Sequence, residues 1–178
     1  MEYANDAYKT AGLSANEYME TVTGFSASLI SSLGGDTEKA AKYADMAITD
    51  MSDNANKMGS DMASIQNAYS GFAKQNYTML DNLKLGYGGT KEEMQRLLED
   101  AEKFSGVKYD ISSYSDIIDA IHVIQTEMDI TGTTAKEAEA TISGSIGMLK
   151  SSFQNLITGL GDADADIDLS LIHISEPT

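Results

Sequence analysis

Three stretches of the chain share one pattern. A Ser or Thr is followed three residues later by Glu, at Ser14–Glu17, Thr90–Glu93 and Thr134–Glu137, and apolar residues then recur every third or fourth position. In such a capping box the hydroxyl accepts from the backbone N–H of the Glu, while the Glu side chain reaches back to the backbone N–H of the Ser or Thr. Each box therefore marks a helix start, and the three starts are spread over the length of the chain. No window before the last ten residues shows the apolar–polar alternation of a half-buried strand. The pattern predicts an all-α fold, several amphipathic helices joined by Gly-containing loops in a helical bundle-like domain.

The stripes define the helices. Tyr18, Val22, Phe25, Leu29 and Leu33 form one face, with Leu13 and Tyr18 placed as a hydrophobic staple around the Ser14 cap and Gly34–Gly35 as the stop. Asp36 caps a second helix whose face is Tyr43, Ala47, Met51 and Met58, widened by Ala40, Ala44, Ile48 and Ala55. Gly59–Ser60 is a weak break, after which Met62, Ile65, Ala68, Tyr69 and Phe72 resume helical spacing. Met79, Leu80 and Leu83 mark a short helix, and "GYGG" at Gly86 to Gly89 is the clearest loop. The Thr90 box opens a helix with Met94, Leu97, Leu98, Ala101 and Phe104 inward, ended by Gly106. After the connector "VKYDISSYS", Ser113 or Ser115 caps a helix with Ile117, Ile118, Ile121, Ile124 and Met128 inward. The Thr134 box opens a segment running to about Leu160, with Ala138, Ile142, Ile146, Leu149, Phe153, Leu156 and Leu160 at threes and fours. Gly144 and Gly147 inside it either weaken the helix or permit close helix approach.

Composition narrows the functions. Among 178 residues, 28 are acidic and 12 basic, a formal net charge of −16. Such a chain repels nucleic acid and anionic membrane surfaces. There is no Cys, which excludes disulfides and thiolate metal sites. No apolar run approaches the ~20 residues of a membrane span.

The segments that invite a chemical reading do not sustain one. "GDADADID" places Asp162, Asp164, Asp166 and Asp168 in alternation, like a calcium loop. An EF-hand needs Gly at position six and Glu at twelve. Counting from Asp162 gives Ile167 and His173, and from Asp164 gives Leu169 and Ser175, so a flexible acidic linker is expected instead. "GYGG" lacks the Gly-Lys-Ser/Thr of a phosphate loop. "SGSIG" at Ser143 to Gly147 has Ser where a nucleophile elbow needs Gly. His122 sits mid-helix beside Ile121 and Val123 and is read as a boundary residue. Met46, Met51, Met58 and Met62 are read as core. The sequence yields no catalytic, cofactor-binding or metal-binding residues, and no cofactor.

Longer stretches carry a resemblance. "SLGGDTEKAAKYADMAITDMSDNANKMG" (residues 32–59) and "QNYTMLDNLKLGYGGTKEEMQRLL" (residues 75–98) are similar to the helical region of phage tail tape measure proteins. The similarity continues through "GVKYDI", "IIDAIHVIQ" and "DITGTTAKEAEATISGSIGMLKSSFQNLITGL", covering about residues 11–160. Members of that family are much longer than this chain. Residues 1–168 are therefore expected to be one helical segment of a tape measure protein, with Met1 an internal methionine serving as the apparent start. The last ten residues, "LSLIHISEPT" (Leu169 to Thr178), resemble the translation of a transposon-end sequencing adapter and are expected to be non-native.

The resemblance implies a structural role in phage or prophage tail assembly and no enzymatic one. A tape measure protein sets the length of the tail tube and scaffolds its polymerisation. The implied partners are the tail tube protein and tail assembly chaperones, with self-association of helices a further possibility. The implied location is the lumen of the virion tail, after assembly in the host cytoplasm. An extended helix rises ~1.5 Å per residue, so residue count becomes length. The Gly breaks here instead favour a compact helical domain within the larger protein over the ruler itself. The alternative readings are a host helical adaptor or chaperone-like interaction protein and, further off, a tail-associated muralytic enzyme domain.

Overall fold

In the computed structural model, Ala7 and residues 9–162 are described, and they form helices and loops with no strand among them. The all-α expectation holds. The chain divides into two compact units, Met1–Ala138 and Glu139–Thr178.

The first unit begins with α1 (Ala15–Ser32), α2 (Thr37–Met58) and α3 (Met62–Phe72). A 3-10 turn (Leu80–Leu83) leads to α4 (Lys91–Ser105) and α5 (Tyr114–Glu127). The first residues of α6 (Thr133–Asp162) complete it. The starts follow the caps. Ser14 and Glu17 form the expected box, Asp36 and Asp61 accept from Lys39 and Ser64, and Ser113, not Ser115, accepts from Asp116. Gly59 and Gly106 end α2 and α4 with φ of 61° and 71°, left-handed values that cost Gly nothing. Gly59 is thus a full stop where only a weak break was expected.

Helix α2 is the hub. It packs against α1, α3 and α5, while α4 packs on α5. Leu29, Ile48, Met51, Ile65, Tyr69, Phe72, Leu97 and Ile117 are among the fully buried residues at the centre. Each such Leu or Ile contributes about 1.5–3 kcal/mol of burial. Met51 is core and Met46, Met58 and Met62 pack partly buried against it, as expected.

Two apolar assignments, and one helix start, need correction. Phe104 is 57% exposed, because the connector turns back after Gly106 and Tyr109 closes that end of the core, its hydroxyl bonded to Ser105 Oγ. Met128 is the C-cap residue of α5 and is 40% exposed, and buried Ile130 takes the inward place. Met79, before the 3-10 turn, is exposed while Tyr77 is buried.

Of the second unit, residues 139–162 are described, and they are the continuation of α6. Ser143 to Gly147 lie within this helix, which is incompatible with a strand-to-helix elbow. Asp164, Asp166, Asp168 and the last ten residues lie outside the described residues.

Candidate functional site

The face of α2 that carries Ala47, Ile48 and Met51 also carries Asp50, Asp53 and Asn54, and all three are buried. A buried carboxylate is costly unless it is paired, so each of these side chains must have found work.

Asp53 caps a helix eighty residues away. Its carboxylate accepts from the backbone N–H of Gly132 at 2.6 Å and of Thr134 at 2.8 Å. Those are orphan donors at the positive end of the α6 dipole, where a carboxylate is favourable. The expected Thr134–Glu137 box is therefore not formed. Asp53 has replaced the Thr134 hydroxyl, and Glu137 accepts from Asn56 Nδ2 at 2.8 Å. Ser52 Oγ donates to the Ala11 carbonyl at 2.6 Å and lies 3.4 Å from Thr134 Oγ1. Asn54 Nδ2 donates to the Leu83 carbonyl at 2.9 Å, fixing the 3-10 turn. Residues 52–56 thus tie three separated backbone segments to one helix.

Asp50 pairs with His122 of α5. Both carboxylate oxygens lie 2.9 Å from Nδ1, which donates to the carboxylate. Asp50 is 1% exposed and the His122 side chain 33% exposed. Burial pushes the Asp50 carboxyl up to about 6, against the opposing pull of His122, while Asp53 and Asp119 raise it further. The hydrogen bond to Asp50 raises His122 above the usual imidazole range. His122 is thus a boundary residue, but one with a buried anionic partner. The Tyr69 and Tyr114 hydroxyls and the Gln125 amide are buried without a protein partner. Burial lifts both phenols and keeps them neutral.

An Asp–His pair is the orienting half of a hydrolytic triad. Among the described residues no hydroxyl is hydrogen-bonded to His122, and no three His, Asp or Glu side chains are grouped to hold a metal ion. What the geometry does is join α2 to α5 and α6.

The "GYGG" loop is a second polar knot. Arg96 Nη2 donates to the Gly86 carbonyl at 2.9 Å, and its guanidinium carbon lies 4.4 Å over the Tyr87 ring. Tyr87 OH donates to Asp100 at 3.0 Å. Glu93 accepts from the Gly88 N–H at 3.0 Å and from Arg96, so the reciprocal half of the Thr90 box is not made, although Thr90 Oγ1 does accept from the Glu93 N–H. A side chain at Gly89 would put its Cβ 2.2 Å from the Thr78 carbonyl oxygen. The loop is a turn, as expected, but one locked to α4.

A groove of about 580 Å³ runs between α1 and α3 and carries Glu17, Glu20 and Asp61. Glu17 and Asp61 are both engaged as caps. Among the described residues no helix is long and apolar enough to cross a membrane. Neither a family model, nor a curated protein, nor a solved structure matches this chain.

Proposed function

We propose that this chain is a segment of a phage or prophage tail tape measure protein, serving tail assembly by shape and binding. The support is the resemblance of residues 32–59 and 75–98 to that family. An all-helical architecture is in keeping with it, as is a buried polar seam that joins helices. In this reading the parent protein sets tube length and scaffolds polymerisation. Its partners are the tail tube protein and the tail assembly chaperones, and its place is the host cytoplasm during assembly and then the tail lumen.

The source DNA tests the proposal. Tail tube and chaperone genes upstream, baseplate genes downstream, and a reading frame continuing past codon 168 into further helical protein are expected. A frame embedded in host genes without tail components would overturn the reading in favour of a host adaptor.

A further inference from the structure

Two buried carboxylates stand one turn apart on α2, and their partners differ in kind. Asp53 is held by the backbone N–H groups of Gly132 and Thr134, which keep their protons at any physiological pH. Asp50 is held by the His122 imidazole, which does not. The two acidic residues are 0% and 1% exposed. Helix positions i and i+3 have Cβ atoms about 5–6 Å apart, and like charges there oppose each other, more strongly away from water. Above about pH 6 Asp50 is ionised. Its charge is then met by His122 only while the imidazole carries its second proton.

The other groups facing the pair are Asp53 from α2, Asp119 from α5 and the Tyr69 phenol from α3. Both carboxylates favour a proton on His122, and burial keeps Tyr69 neutral. Toward α1, Asp45 accepts from Tyr18 OH at 2.9 Å, and toward α6, Glu137 accepts from Asn56. What depends on Asp53 is the start of α6, the helix by which the chain leaves the first unit. Without that carboxylate, Gly132 and Thr134 present two orphan donors. The contact beside them is long, Thr134 Oγ1 lying 3.4 Å from Ser52 Oγ, which already donates to the Ala11 carbonyl.

We propose that the Asp50–His122 pair is a pH-operated latch on the start of α6. With the imidazolium in place, Asp53 stays on Gly132 and Thr134. Loss of the imidazolium proton sets two buried anions against each other and loosens that turn. The element so biased has two arrangements, with residues 130–134 docked on Asp53 or open to water. The hydrogen bond to Asp50 places the change above pH 6.5.

Amide exchange of the full 178-residue chain from about pH 6 to about pH 8.5 tests this, each rate being divided by its intrinsic, pH-dependent value. Protection at Gly132 and Thr134 should fall by roughly 10-fold over that range, the change that one pK unit of coupling produces. The fall should be insensitive to low urea, because a local opening exposes little surface. Asp50→Asn removes one of the two charges and keeps an acceptor for His122, so protection at both amides should stay flat. The Gly106 N–H, bonded to the Glu102 carbonyl at the end of α4, is the control and should stay flat in both proteins. Constant protection at Gly132 and Thr134 in the wild type overturns the proposal, and that series is decisive by itself should the variant not fold. A fall that survives Asp50→Asn also overturns it. So does one that grows with urea, which would mark unfolding of the whole unit and not release of one turn.

Discussion

At the scale of single residues, the Asp50–His122 pair gives the protein an unusual dependence on pH. Asp50 has its folded pKa raised from 3.8 to about 6, and His122 has its own raised above 6.5. Both groups hold a proton more tightly folded than unfolded. The Asp50 share of stability is therefore fully present below about pH 3.8 and is lost as pH rises to about 6, while the His122 share is lost as pH rises further, above 6.5. Asp100 and Asp110 are held below the usual carboxylate range, by Lys103 and by the Ser112 backbone, and their contribution is lost as pH falls through the acid range. Urea midpoints should thus peak at about pH 4 and drop by pH 8, most of the Asp50 part, on the order of 2 kcal/mol, being lost by about pH 6. Asp50→Asn should flatten the slope between about pH 4 and 8. A wild-type midpoint that rises across that interval would contradict the account. Asp53 makes a different prediction. Asp53→Ala strips two acceptors from the start of α6 and should cost about 2–4 kcal/mol. Asp53→Asn keeps one carbonyl acceptor and should lose less. Amide exchange at Gly132 and Thr134 should accelerate first, and protection left intact in the alanine variant would show that the cap is not what holds that turn.

At the scale of elements, glycine positions separate conformation from packing. Gly89 faces the Thr78 carbonyl so closely that Gly89→Ala forces backbone to move, and the "GYGG" loop should detach from α4 at a cost of several kcal/mol, roughly 3 or more. Gly24 lies inside α1 with open space around it, so Gly24→Ala should stabilise by about 0.5–1 kcal/mol. Thermal melts of the two variants should move in opposite directions, and a neutral Gly89→Ala would show that the loop yields freely. Helices α1, α2, α4 and α5 were legible in the sequence because their caps are local, a side chain three residues from its N–H partner leaving a signature in spacing, and α3 was legible from its apolar spacing, its Asp61 cap having been overlooked. The start of α6 was misread because its true cap lies eighty residues away, and no local pattern reports it. Asp50 and Asp53 could have been noticed. They recur at three-residue spacing on a face otherwise made of Ala, Ile and Met, and polar residues at core spacing imply partners. Which partners is a matter of tertiary packing. Phe104 and Met128 were placed inward by periodicity alone, although helix ends are closed by whatever chain follows them, here Tyr109 and Ile130.

At the scale of the molecule, the first unit bears on how such a segment could serve a tail. Residues 1–138 as one straight helix would span roughly 200 Å. Instead the chain folds back on itself around α2, and α1, α3 and α5 all pack on that helix. A compact unit of this size has a radius of gyration of about 14 Å, against roughly 60 Å for the rod. Small-angle scattering from residues 1–138 distinguishes the two without ambiguity, and the compact value is expected. In the proposed setting the consequence is quantitative. Deleting this unit in frame from the parent gene should shorten the tail by far less than 200 Å, because a folded unit occupies little of the tube's length per residue. Deleting an equal number of residues from a continuous helical stretch should shorten it by nearly the full amount. Tail lengths measured by electron microscopy would decide. A loss of about 200 Å on deleting the unit would mean that these helices are drawn out inside the tube and that the packing around α2 belongs to the free protein alone.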